Sequence, residues 1–422
     1  MAPNLFGTSA TLYLEASQQD VHQEKSTTEK VNSQNLLIQK SSTPNKKYQW
    51  KIVWRNLIAF LYLHLGSLYG IYCLFTEGSI YTLAWSNIEL HDRRVTCFSI
   101  ESISRMINIS RATFLSFSLV VVIISVVHDY IAVVAGMAGV GTTAGAHRLW
   151  AHRAYKARWP MRLLLMICQT VAFQNHIYEW VRDHRVHHKF TDTDADPHNA
   201  QRGFFFSHIG WLMVKKHPDV MKKGATVDLS DLEQDPIVVW QRRLYIVLMP
   251  LLCFILPVWV PCYFWNEKLL VSWYCTVFRY TFSLNMTWLV NSAAHIWGMK
   301  PYDKTIGPTE NKVVAVLAFG EGWHNYHHVF PWDYKAAELG NYKMNITTAF
   351  IDFFARLGMA YDMKTVPIDV VMKRASRTGD GSKYSKPNTI HHHSHEGSKW
   401  GWGDTDMLPE EIEEVQIINK ID

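Results

Sequence analysis

Four apolar stretches constrain this chain more than any other feature. They are Trp54–Phe75, Ala112–Gly145, Leu244–Trp265 and Leu269–Val290. About 20 apolar residues cross a bilayer core as a helix, so each is long enough to span. The last two form a close pair joined by WNEK. Three prolines, Pro250, Pro257 and Pro261, fall in the third stretch; membrane helices tolerate them where neighbours re-satisfy the freed carbonyls. Arg279 sits in the middle of the fourth stretch, where a charge is costly and calls for a partner. Basic residues precede the first stretch (Lys46, Lys47, Arg55) and the third (Arg242, Arg243), which marks those ends as cytosolic. An even number of crossings then returns both termini to the cytosol. The polar loops His147–Trp240 and Asn291–Tyr361 fall on that same side and can close into one cap.

Composition agrees. Charged residues are 19% of the chain and aromatics 13%, with 17 Trp, a membrane-leaning balance with polar ends. A net charge of +5 gives no reason to expect a nucleic-acid partner. Six cysteines contain no C-x-x-C pair and mostly lie in apolar runs, so buried reduced thiols are expected. Residues 1–49 are polar and without periodicity and read as disordered; 376–422 read as a second solvated tail, including His391, His392, His393 and His395. The first residues lack the pattern of a secretory signal peptide.

Histidine carries the chemistry. The loops contain HRLWAH at 147–152, HRVHH at 184–188, NSAAH ending at His295, and HNYHH at 324–328. At about 100° per residue, His184, His187 and His188 share one helix face, and so do His324, His327 and His328. Asn291 and His295 are also one turn apart. His147 and His152 are about 140° out of line on a straight helix, so they need a helix end, a local bulge or two different metals. Nine imidazoles exceed the ligand set of one ion and suit two. No cysteine joins them, which argues against structural zinc; imidazole-only sets suit Zn, Cu, Fe or Ni. Asp192, Asp194 and Asp196 resemble a calcium loop only superficially, because Pro197 and Gly203 stand where Gly and Glu are needed. A hydrolytic zinc centre would also bring a carboxylate base, as in H-E-x-x-H. Two redox-active irons just above a bilayer would instead activate O₂ and break an unactivated C–H bond.

GTTAGAHRLWAHR, EWVRDHRVHHKFTDTDADPHN, TWLVNSAAHIWG and GEGWHNYHHVFPWDY resemble the membrane acyl-CoA desaturases of the stearoyl-CoA desaturase family. The wording of the boxes, including Trp323, is most similar to the insect enzymes, which include Δ9 and pheromone-producing members. The resemblance covers roughly residues 50–85 and 129–375. It implies an all-α integral membrane fold, four transmembrane helices under a cytosolic helical cap. In that cap His147, His152, His184, His187, His188, His295, His324, His327 and His328 hold a di-iron site. Asn291 reaches one iron through water. The implied reaction uses O₂ and electrons from cytochrome b5 and its reductase. It turns a saturated long-chain acyl-CoA into a cis-monounsaturated one in the endoplasmic reticulum membrane, Δ9 by default. Δ11 or another regiochemistry, or a fatty acyl hydroxylase using similar boxes, is the alternative. The resemblance also implies CoA contacts at Asn56, Asn175, Arg182, Asp183, Lys215 and Lys216, where cationic groups suit phosphates. Lys215 departs from the Arg common there. Thr287 and Trp288 match positions beside the bend of the acyl tunnel.

Two features stand apart. Ala135, Gly136, Ala138 and Gly139 are small where the family closes the tunnel's far end; a deeper or altered tunnel and close helix packing both select small residues. Residues 86–128 have no counterpart in the family pattern and leave His128-Asp129 in an apolar run. A luminal insertion, an extra span and a gene-model error such as a retained intron are the three readings.

Overall fold

A computed structural model describes residues 49–76, 130–338, 342–384 and 398–421. The expected disorder of residues 1–48, the segment 86–128 and the histidines at 391–395 lie outside the described residues. The described part is predominantly helical. Its principal helices are α1 (Trp54–Thr76), α2 (130–140, continuing without a break as a π-helical stretch Gly141–Ala151), α3 (Trp159–Ala172), α4 (Ile177–Lys189), α5 (Pro236–Pro250), α6 (Leu256–Trp265) and α7 (Leu269–Asn291). After these come α8 (His324–Val329), α9 (Ile346–Arg356), α10 (Ile368–Thr378) and α11 (Pro409–Glu413). Two antiparallel pairs of short strands complete the cap. β1 (Lys156–Ala157) pairs with β2 (Ala360–Tyr361), and β3 (Met363–Thr365) pairs with β4 (Gln416–Ile418).

Among the described residues, two helical segments are long and apolar enough to cross a membrane, Trp54–Leu74 and Pro236–Trp265. Only 28% and 22% of their most apolar windows are buried inside the protein. Ile58, Leu61, Leu65 and Leu68 point outward from α1, as do Ile246, Val247 and Ile255 from the second segment. α7 is equally long but carries Arg279 and several polar side chains on its buried face.

α1 and α7 pack closely because glycine lets them. A Cβ added at Gly70 would stand 2.4 Å from the Tyr274 carbonyl oxygen, and one at Gly66 would stand 3.2 Å from Val277 Cγ1. Gly141 does the same for α2 and α3, where a Cβ would meet the Cys168 backbone at 2.2 Å. Arg279 finds its partner in the proline-bearing segment. Pro257 has no N–H to offer the Cys253 carbonyl four residues earlier, and Arg279 Nη2 donates to that carbonyl at 2.8 Å. Among the described residues no cysteine forms a disulfide, and all of the described cysteines but Cys262 are buried.

The C-terminal segment differs from the solvated tail expected for it. Residues 398–421 form α11 and β4, and β4 joins β3 in register Lys364↔Ile417. The acidic composition misled because several of its carboxylates are paired: Lys399 Nζ donates to Glu411 at 2.6 Å, and Lys189 Nζ to Asp404 at 2.9 Å.

Filling the notch at Gly70 tests the helix pairing. Gly70→Leu is expected to destabilise the fold by about 1–3 kcal/mol, read as a lower unfolding temperature in detergent. An unchanged temperature would mean that α1 and α7 do not depend on this approach.

Candidate metal centre

The puzzle of HRLWAH resolves in the backbone. Gly141–Ala151 is π-helical, and His152 N donates to the His147 carbonyl five residues earlier at 3.1 Å. A wider turn of this kind brings i and i+5 onto one side. Of the three routes open to the sequence, the local bulge is the one taken. α4 delivers His184, His187 and His188 from its last turns, and its start is capped by His176 Nδ1 accepting from Glu179 N. α7 ends at Asn291, and a break at Ser292 turns the chain so that His295 enters the same space. α8 supplies His324, His327 and His328.

Together they form two clusters. Five ligand nitrogens, from His147, His152, His184, His188 and His327, lie within 4.8 Å of one another, and so do four from His187, His295, His324 and His328. Each H-x-x-H-H box therefore divides between the two. In α4 the i and i+4 histidines go to the first cluster and the i+3 histidine to the second. In α8 the i and i+4 histidines go to the second.

The geometry fits metal ions. Imidazole nitrogens bind a first-row ion such as zinc at about 2.0–2.1 Å, so ligands on opposite sides stand about 4 Å apart. Nε2 atoms face each other at 2.9 Å (His147 with His327; His152 with His184), 3.1 Å (His188 with His327; His295 with His324) and 3.2 Å (His324 with His328). Several carry their proton on Nδ1, because an outer acceptor stands there. Asp196 Oδ2 accepts from His187 Nδ1 at 2.9 Å, the Trp400 carbonyl accepts from His152 Nδ1 at 2.5 Å, and Glu321 Oε2 stands 2.8 Å from His147 Nδ1. Their Nε2 lone pairs then converge inward, an arrangement suited to a cation at each centre. Burial, reinforced by the neighbouring imidazoles, pushes His152, His184, His188, His324, His327 and His328 well below the ordinary imidazole pKa. Neutral rings are what metals bind.

The supporting shell was not singled out in the sequence. The Arg following the first histidine of each early box ties the cap together. Arg148 is buried and donates to Glu321, the Tyr334 carbonyl, Thr348 and Asn345. Arg185 joins α4 to the carbonyls of Trp150 and Ala151 and to Asp231. Burial alone would raise the Glu321 carboxyl, but Arg148 and His147 hold it below its usual range. Asp192 Oδ1 lies 3.6 Å from His295 Nδ1. Two of the aspartates rejected as a calcium loop thus face the histidines, Asp196 as a hydrogen-bond acceptor and Asp192 as a nearby charge, whereas Asp194 pairs with Arg202. His198 was also passed over; it is buried, with its ring 4.3 Å from that of His187. The signal for Arg148, Arg185, Asp192 and Glu321 was position, each standing within four residues of a box histidine.

A cavity leads away from the clusters. Its walls are Ala135, Ala138, Gly139, Thr142 and Thr143 from α2, and Phe282, Ser283, Met286, Thr287, Val290 and Asn291 from α7. His147, His184, His187 and His324 line it too. Asn291 Nδ2 is buried without a hydrogen-bond partner beside the four-histidine cluster, the one with a ligand fewer. Thr287 faces this cavity and accepts from Gln174 Nε2 at 2.9 Å. Trp288 does not line it; its ring is fully buried between Phe60 and His208.

The residues expected to meet CoA are only partly gathered. Arg182, Asp183 and Lys216 form one cluster, with Arg182 Nη2 donating to Asp183 at 2.8 Å and Lys216 Nζ also bonded to that carboxylate. Burial raises the Asp183 carboxyl, and Arg182 and Lys216 more than offset this. Lys215 is exposed. Asn56 is buried, donating to the Leu212 carbonyl at 2.8 Å. Asn175 is buried with φ at 69° and takes no part in the cavity wall.

A fatty acid desaturase profile matches residues 125–338. This chain belongs to the fatty acid desaturase family. It is 55% identical over 375 residues to the acyl-CoA Delta-9 desaturase of Acheta domesticus, covering 89% of this chain and 88% of that one. It is 45% identical to the acyl-CoA Delta(11) desaturase of Trichoplusia ni, covering 88% and 89%. With the stearoyl-CoA desaturase of Bos taurus the identity is 48%, over 80% and 81% of the two chains.

Two expectations follow. Glu321→Gln removes an acceptor held by Arg148 and should weaken metal retention roughly 10–100-fold, measured as release to a chelator. Acid should do the same to the whole centre. Folding lowers the pKa of six of the histidines, so their contribution to stability is full above the ordinary imidazole value of about 6.5. It is lost as pH falls through the folded values, while protons also compete with metal. Metal content should therefore hold near neutrality and fall on acidification. Equal content at pH 5 and pH 7.5 would contradict the burial argument.

Proposed function

We propose that this protein is an acyl-CoA desaturase that places a cis double bond in a saturated long-chain fatty acyl-CoA, with Δ9 as the position. The observation that carries this reading is the joining of the two histidine clusters to an apolar-walled cavity between α2 and α7. Two irons held by the nine histidines supply the activation of O₂ and the breaking of an unactivated C–H bond. The protein's own residues do the rest. The cavity walls fix which part of an acyl chain lies beside the clusters, and their apolar surface excludes water there. Asn291 is placed to hold a water against the four-histidine site.

At the cap surface, Lys215 and Lys216 suit the phosphates of CoA. Arg182 shares its donors with Asp183 and Glu179, so it orders the cluster as much as it attracts an anion. The reaction consumes two electrons per double bond beyond those of the substrate, delivered by cytochrome b5 and its reductase. Four spans, with both termini cytosolic, place the cap on the cytosolic face of the endoplasmic reticulum membrane. The outward apolar faces of α1 and of Pro236–Trp265 support a lipid surround, and pairing of Arg279 with the Cys253 carbonyl supports α7 as a buried span.

Relatives named for Δ9 and Δ11 activity are both similar to this chain; on this reading the depth of the cavity selects the position. Expression in a yeast strain lacking its own desaturase, with and without residues 86–128, tests the function. Monoenes with the double bond at Δ9 are expected. Hydroxylated products would favour the alternative chemistry, and no new product from either form, with protein in the membrane, would defeat the proposal.

The far wall of the cavity gives a second test. Ala135, Ala138 and Gly139 line it, and a Cβ at Gly139 would in addition collide with Phe319 at 1.8 Å. Small size thus serves packing at Gly139 and space at Ala135. Ala135→Tyr should shift the preferred substrate to a shorter acyl chain; an unchanged product profile would remove Ala135 from the tunnel.

A further inference from the structure

Trp400 lies 248 positions from His152 in the chain, yet its carbonyl is the acceptor for His152 Nδ1. The contact is built from both sides. Trp402 N donates to the His152 carbonyl at 2.9 Å. Between them Gly401 has φ at +149°, and a Cβ there would stand 2.6 Å from His152 Cα and from its carbonyl oxygen. Only glycine fits so close an approach. Trp400 N in turn donates to Asp404 Oδ2 at 2.8 Å, and Lys189 at the end of α4 donates to the other oxygen of that carboxylate. The Trp400 ring lies under the Arg185 guanidinium at 4.1 Å and near that of Arg153 at 5.0 Å. His152, Trp400 and Asp404 are all buried.

The carboxylates behind other histidines come from within the cap: Glu321 stands 2.8 Å from His147 Nδ1, Asp196 accepts from His187 Nδ1, and Asp192 stands 3.6 Å from His295 Nδ1. Among the described residues, the hydrogen bonds of this C-terminal turn to metal-site histidines are those to His152 of the five-histidine cluster.

The geometry points to a strap. Residues 398–408 hold His152 in the tautomer and orientation that turn its Nε2 inward, and Trp400 acts, through its backbone, as a positioning residue for one of the two metals. This rests on the reading that the nine histidines hold two irons. Without the strap, the His152 Nδ1 proton has no acceptor in a buried place and the ring is free to turn, so the five-histidine site loosens while the four-histidine site keeps its whole shell. Loss of such an outer partner weakens metal retention roughly 10–100-fold.

Iron content and the time course of iron release to a chelator, measured on detergent-purified protein, test this. Three forms are compared with the full chain: one ending at Ser398, Gly401→Val, and one ending at Leu408 that keeps the strap but lacks α11 and β4. The full chain is expected to hold two irons that leave slowly. In the first two variants one iron should leave roughly 10–100-fold faster and the other at the full-chain rate. The form ending at Leu408 should hold both. The retained iron serves as the internal check on folding. Release of both irons at the full-chain rate from the Ser398 form, or faster release of both together, would overturn the strap. A full chain without iron would overturn the di-iron reading itself, and the strap with it.

Discussion

Gathering nine imidazoles at one place, eight of them buried, is the constraint on which the rest of this structure depends. Six of them are driven neutral by burial, and their nitrogens face one another at hydrogen-bond distance or little more. Such a cluster is held by two things, cations at its centres and acceptors around its edge. The acceptors account for much of the cap's architecture. Glu321 is fixed by Arg148, Asp196 by the turn after α4, and the Trp400 carbonyl by a C-terminal segment that pairs with β3. The buried guanidinium groups each tie separate elements to one carboxylate: Arg185 joins the Trp150, Ala151 and Asp228 carbonyls to Asp231, and Arg148 joins the Tyr334 carbonyl and the Thr348 and Asn345 side chains to Glu321.

The membrane part obeys a second requirement. The helices that wall the cavity are each braced by a close neighbour, and glycine permits that approach between α1 and α7 at Gly70 and between α2 and α3 at Gly141. The same helices end at the clusters: α2 runs into the π-helical stretch that bears His147, and α7 ends at Asn291. A ligand in the cavity is therefore bounded along its length by α2 and α7 and at one end by the histidines. Cavity and metal centre are one construction.

Spacing made the histidine faces legible in the sequence, because i, i+3 and i+4 positions align on any regular helix. It did not make the division of each box between two clusters legible, since that depends on how α4 and α8 cross. His147 and His152 resisted for the opposite reason: a π-helical turn breaks the regular period, and a sequence records no hydrogen-bond pattern. The apolar stretches matched α1 and α7 nearly to their ends, and the third matched the end of its helical segment at Trp265 but not its start, which lies at Pro236 rather than Leu244. Trp288 matched a tunnel position by motif but packs behind the wall, because neighbours on one helix point in different directions. The C-terminal segment was misjudged on composition. Its acidic and glycine-rich residues make specific contacts with Lys189, Lys399 and His152 that only the folded chain brings together.

The central claim is that these histidines enclose two separate irons, one among five rings and one among four. Anomalous diffraction at the iron absorption edge from crystals of the purified full-length protein tests it most directly. Two peaks are predicted, one bounded by His147, His152, His184, His188 and His327 and the other by His187, His295, His324 and His328. A single peak, or two that share one cluster, would contradict it.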